Sequence, residues 1–207
     1  MTESLKICCG VEKVELMRVL ALRTTLVRMK LKPAEIFFVR RCYRAQSPTG
    51  TMEICASQRE VLEKLGLPWY VLRIREEKSL ILFYDPEALK RILADEAKWR
   101  FLAEYGYTTR TVEGTLAWLR RRFEKCDFPH EIGLLLGYPL KDVVGFTRGQ
   151  AAPSYYGAWR VYGDVEESLK IMDLFRRGAL EAERILTQPE SWETCVQQIG
   201  ALKVASV

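Results

Sequence analysis

One histidine, His130, serves a chain of 207 residues, and that scarcity narrows the available chemistry. A metalloprotease helix needs H-E-x-x-H, with two imidazoles one turn apart facing a single zinc, but the position for the second is occupied by Leu134. No C-x-x-C occurs among Cys8, Cys9, Cys42, Cys55, Cys126 and Cys195, which removes the zinc-ribbon and thioredoxin-like patterns. A glycine-rich loop joining a strand to a helix, the usual phosphate cradle, is also missing. No apolar run approaches the roughly 18 residues of a membrane span, and no N-terminal stretch has the residue order of a signal peptide. These absences predict a cytoplasmic protein with no membrane association and mostly reduced thiols.

A strong excess of one charge is lacking as well. Lys and Arg total 32 against 27 Asp and Glu, a net charge of +5. The clusters Arg40-Arg41, Arg120-Arg121-Arg122 and Arg176-Arg177 have acids among and around them: Glu76 and Glu77 follow Arg73 and Arg75, and Glu124 follows Arg122. Such mixing fits solvated helix faces and argues against the basic stripe of a nucleic-acid binder. What is present in quantity is core material. With 48% hydrophobic and 29% charged residues, the chain is expected to form one domain over 1–207.

Periodicity predicts a helix over 12–29, with Leu16, Val19, Leu20 and Val27 near one face, ended by Lys32-Pro33. "IFFVRRCY" is either a strand or the end of a short helix, and "AQSPTGT" at 45–51 is a surface loop. Ser57 to Glu60 form a capping box ahead of Val61, Leu62 and Leu65, with Gly66 placed to close the helix. "WYVLRIR" and "SLILFY" form a hairpin across Glu76-Glu77-Lys78, and Asp85-Pro86 starts the next helix. Helical segments follow to Glu104 and over 112–124, the second with Leu116, Leu119 and Phe123 on one face. "AWRVYGD" at 158–164 alternates like a half-buried strand. After it, Asp164 and Glu167 open a long helix with Leu169, Met172, Phe175, Ala179, Ala182 and Leu186 in a stripe, stopped by Gln188-Pro189. The fold class expected is α+β, with a small, mostly antiparallel sheet packed with several helices.

The segment "FPHEIGLLLGYPLKDVVGF" at 128–146 concentrates the candidate chemistry. Histidine is the common general acid or base, so His130, with Glu131 beside it, is the candidate catalytic pair. Cys126 lies four residues before His130, and thiolate with imidazole suits a soft divalent metal whose remaining ligands would come from distant cysteines. Gly133, Gly137 and Val143 match the spacing of a helix-turn-helix over 130–146. Against that motif, "DVVGFT" joins β-branched residues to an internal glycine, which predicts a strand over 142–147 paired with 158–162. Pro129 in the first helical turn, leucines entering the core and Gly137 closing the helix explain most of the remainder structurally. Tyr138, Tyr155, Tyr156, Trp159 and Tyr162 are candidates to line a pocket for a planar ligand, with Tyr138, Tyr156 and Trp159 foremost.

That segment, followed by "GAWRVYGD" and a long helix, resembles a bacterial family catalogued as domain of unknown function 3793, common in anaerobic Firmicutes. "LKPAEIF" at 31–37, "LILFYDPEAL" at 80–89 and "FLAEYGY" at 101–107 extend the likeness over most of the chain. The N-terminal helix departs from it, with "LRTTLVRM" at 22–29 where the family tends to have a Cys-Ala-Pro-like stretch. The resemblance implies an accessory protein binding a small molecule or a metal in anaerobic redox or iron metabolism. An enzyme using His130 and a DNA-binding regulator are the alternatives, and the cofactor and oligomeric state stay open.

Overall fold

Three β-rich runs form an antiparallel sheet in the order β1-β3-β2, with β1 at Ala34–Arg40, β2 at Trp69–Ile74 and β3 at Lys78–Tyr84. The computed structural model describes residues 10–40, 56–75, 78–150, 152–187 and 192–202. The central strand is buried from Ser79 to Phe83, which is why it reads as a continuous apolar run instead of an alternating one. Both of its faces are covered. Leu80 and Leu82, with Leu72 and Ala34, pack with α4 (Pro86–Ala94), α5 (Glu96–Glu104) and α6 (Val112–Lys125). Ile81 and Phe83, with Val39, pack against Leu16 and Leu20 of α1 (Gly10–Arg23) and against Val61 and Leu62 of α3 (Ala56–Lys64). Burying each such side chain is worth about 1.5–3 kcal/mol relative to exposure.

The expected signals operate locally. The Asp85 side chain accepts a hydrogen bond from the Glu87 backbone N–H at 2.9 Å at the start of α4, and Gly66 has φ 63° after α3. Leu116, Leu119 and Phe123 are buried on α6 as their spacing predicts. The helix expected over 12–29 divides at Thr24 into α1 and α2 (Thr25–Arg28). There the Thr24 hydroxyl donates back to the Leu20 carbonyl at 2.7 Å, and the Thr25 hydroxyl to the Leu22 carbonyl at 2.6 Å. "IFFVR" is a strand, while the loop at 45–51 and Cys8, Cys9, Cys42 and Cys55 lie outside the described residues.

The long helix forms as α8 (Glu166–Leu186) and packs with α2 and with α9 (Trp192–Ala201) around Met29, Ala182, Ile185 and Ile199. Its buried positions are Ser168, Gly178, Ala182 and Ile185, so Ala182 is buried as expected, Met172 and Phe175 are half-buried, and the residue before Leu169, Ala179 and Leu186 takes the buried place, leaving Leu169 and Ala179 exposed. Hydrogen bonding draws Ser168 inward, and the side chains of Leu26 and Leu31 crowd the space beside Gly178.

One expectation is overturned. Residues 142–147 do not form a strand: α7 occupies Leu140–Thr147, and the strand partner of β5 (Arg160–Val161) is β4 (Tyr155–Tyr156). The propensity penalties of Val143 and Val144 are each a fraction of a kcal/mol, less than the gain from burying Val143. Gly145 acts as a packing residue here. The ring of Tyr162 lies where its side chain would be, with Tyr162 Cγ 2.4 Å from an ideal Cβ.

Before α7, residues 130–134 form a 3-10 helix, His130–Leu134, followed by a Schellman-type turn. The Tyr138 N–H donates to the Gly133 carbonyl at 2.9 Å, and Gly137 has φ 86° as expected for a helix-closing glycine. A Cβ on Gly137 would also stand 2.6 Å from Pro33 Cδ at the entry to β1. Gly137→Ala is therefore expected to destabilise the protein by about 1 kcal/mol or more in equilibrium denaturation, through backbone strain and this clash. Unchanged unfolding would contradict the assigned turn.

Candidate functional site

A pocket of about 400 Å³ opens between the edge strand β1, the 3-10 helix, α7 and the β4–β5 hairpin. Ile36, Ile132, Leu136 and Val143 give it an apolar floor. Two groups of rings form its walls. On one side the His130 ring lies 5.5 Å from Phe128 and meets Phe146 edge-on at 4.8 Å. On the other, Tyr138 and Trp159 stack with centroids 4.6 Å apart and planes 20° apart. Burial raises the pKa of the Tyr138 hydroxyl, and the nearby Glu35 carboxylate adds to the effect.

Of the residues singled out in the sequence, the structure thus brings together His130, Tyr138 and Trp159. The others stand apart from the pocket. Tyr156 is 70% exposed on β4, Tyr155 is also exposed, and Tyr162 is buried against Gly145. The Cys126 thiol donates to the Arg122 carbonyl at 3.2 Å. Among the described residues no three or more His, Cys, Asp or Glu side chains are grouped to hold a metal ion, so the Cys126 and His130 pair finds no third donor there.

Glu131 turns out to be a buried anion with a structural partner. It is 1% exposed, and Arg122 of α6 donates to its two oxygens at 2.7 and 3.4 Å. This hydrogen bonding raises the pKa of the Arg122 guanidinium. Tyr107 is buried nearby, and its hydroxyl is pushed well above the ordinary tyrosine value, first by burial and then by the Glu131 charge. The pair bolts the 3-10 helix to α6.

Asp142 was not visible as a site residue in the sequence, yet it determines the shape of one pocket wall. It is 2% exposed. One of its oxygens accepts from Lys141 Nζ at 2.8 Å and from the Tyr162 N–H at 2.9 Å. The other accepts from Ser168 Oγ at 2.6 Å and from Trp159 Nε1 at 2.8 Å. Lys141 Nζ closes the network by donating to Ser168 Oγ at 2.8 Å and to the Tyr162 carbonyl at 3.2 Å. α7, the hairpin and α8 therefore meet on one carboxylate, and the indole that stacks on Tyr138 is oriented by it. The available signal was a lone acid in the apolar run "KDVVGF", which helical spacing turns inward.

Burial opposes ionisation of Asp142, but the donors on Lys141, Ser168, Tyr162 and Trp159 outweigh that penalty and hold its carboxyl below the usual aspartate range. A depressed folded-state value contributes stability above the unfolded value of about 3.9, and this is lost as pH falls through the folded value. Asp142→Asn is expected to cost about 1–3 kcal/mol at pH 7 by weakening charge-assisted bonds. The gap between wild type and variant should narrow below about pH 4, which urea denaturation across a pH series measures. A gap independent of pH would show that the charge of Asp142 is not what its donors stabilise.

No curated protein and no solved structure matches the chain. The family model described as "Protein of unknown function (DUF3793)" matches residues 20–195, a span that includes the sheet, the pocket and the Asp142 network. On that match, the chain belongs to the DUF3793 family.

Proposed function

We propose that this protein binds a small, flat, largely apolar molecule in the pocket between β1, α7 and the β4–β5 hairpin, as an accessory binding protein and not as a catalyst. The observation that carries this reading is the pairing of an apolar floor with two ring-bearing walls around about 400 Å³, a size and lining suited to a small ligand. The family resemblance implies the wider setting, anaerobic redox or iron metabolism.

Binding is favoured over catalysis by the state of the polar groups. Among the described residues, the lining includes no Ser, Thr, Cys or Lys to act as a nucleophile. Asp142 is engaged by four donors, and the Glu35 carboxylate is 2.6 Å from Lys32 Nζ. The described contacts of the exposed His130 ring are the rings of Phe128 and Phe146, with no carboxylate orienting it as a base.

The DNA-binding alternative gains a helix in α7 but lacks the surface chemistry. Its partner is a five-residue 3-10 helix, Lys141 Nζ is committed to Asp142 and Ser168, and Arg148 just beyond α7 pairs with Glu104 at 3.0 Å. Few cations remain there for phosphates.

The uncharged fluorophore N-phenyl-1-naphthylamine tests the pocket. It should bind saturably at one site per chain, with its emission enhanced. Ala158→Trp, at an exposed pocket-lining position, should abolish that signal while stability changes by no more than about 0.5 kcal/mol. Absence of saturable binding, or binding indifferent to Ala158→Trp, would defeat the proposal.

A further inference from the structure

We infer that the ligand is a planar acid, whose ring lies between the aromatic walls and whose carboxylate or similar anionic group is held at the mouth by Arg160. This inference rests on the pocket reading above and narrows it to a ligand class. It comes from following each charge around the pocket to its partner. Glu35 is neutralised by Lys32, Asp142 by Lys141 and its other donors, and Glu131 by Arg122. Arg148 pairs with Glu104. Among the described residues, Arg160 is the pocket-lining cation without a carboxylate partner. It is exposed on β5, with its guanidinium carbon 5.5 Å from the centre of the Phe146 ring. The same ring meets His130 edge-on from within the lining. Two nitrogen-bearing side chains therefore flank one aromatic wall at the opening.

The geometry has a chemical consequence. A guanidinium laid over an aromatic face keeps its in-plane N–H donors free, and their fork matches a carboxylate or sulfonate better than a neutral acceptor. The floor offers an acid nothing, because it is built of Ile36, Ile132, Leu136 and Val143. On the β1 side the lining group is Glu35, an acceptor already paired with Lys32, so that side offers a ligand anion no donor of its own. An amphipathic ligand is thereby oriented with its ring inward and its acid toward the hairpin. A volume of about 400 Å³ suits one or two fused rings with a substituent and is small for a dinucleotide.

The test compares two probes sharing one ring system, 8-anilino-1-naphthalenesulfonate, which carries an anionic group, and uncharged N-phenyl-1-naphthylamine. Arg160→Gln should weaken the sulfonate by roughly tenfold or more and leave the uncharged probe within about twofold. Arg160→Lys, retaining charge without the fork, should fall between wild type and Arg160→Gln for the sulfonate. Equal losses for both probes, or no loss for either, would overturn the acid-binding inference while leaving the pocket in place. If neither probe binds wild-type protein in a manner sensitive to Ala158→Trp, the pocket reading and this inference fail together.

Discussion

The arrangement of this fold around its pocket turns on the burial of one negative charge. An isolated carboxylate inside a protein costs several kcal/mol unless donors replace its water, and Asp142 is almost fully removed from solvent. Its four donors come from residues 141, 159, 162 and 168, spread over α7, the hairpin and α8. Each oxygen takes two of them, so its requirement is met when these elements adopt this relative placement. The network acts less as an adhesive than as a register mark. Packing of Tyr162 on Gly145 supplies the apolar part of the same contact, and the two together hold a hairpin of two-residue strands that its own backbone bonds could not stabilise alone.

Glu131 presents the same physics on the other side of the 3-10 helix. Its bond to Arg122 ties the segment to α6, while Ile132, Leu134, Leu135 and Leu136 fill the core beneath it. One short segment therefore has an ionic anchor on one side and an apolar anchor on the other. Its remaining surface, with His130 exposed and Gly133 at the pocket, can face a ligand without bearing the load of the fold. Two buried acids, Glu131, which looks chemically inviting in the sequence, and Asp142, which does not, thus serve geometry, and the groups left open at the pocket mouth are His130 and Arg160.

The family match extends over the elements that build this arrangement, from the end of α1 to the start of α9. The pocket is made of pieces distant in sequence. Glu35 and Ile36 come from β1, residues 128–138 from the segment after α6, and 158–160 from the hairpin. What brings them together is the placement of β1 at the edge of the sheet, where no further strand pairs with it among the described residues.

Much of the fold was legible because local chemistry decided it. The Asp85 cap, the left-handed Gly66 and Gly137, the apolar run of β3 and the spacing of Leu116, Leu119 and Phe123 each act over a few residues, and each appears in the structure as the sequence predicts. The site was legible in part: His130, Tyr138 and Trp159 share one pocket, whereas Glu131, Cys126 and Tyr156 have other surroundings. For residues 142–147 the sequence points to a strand because two valines lose a few tenths of a kcal/mol each in a helix and the internal glycine about 1 kcal/mol, and contacts from elsewhere reverse that preference. Those contacts, Tyr162 against Gly145 and three donors from 159, 162 and 168 on Asp142, span 17 to 26 residues of sequence. The sequence by itself determined where helices and strands begin and end wherever the cause was a neighbouring residue. Only the tertiary structure decided which acids are buried, which described cation at the pocket lacks a carboxylate partner and where the pocket lies, because each depends on groups that meet only after the chain has folded.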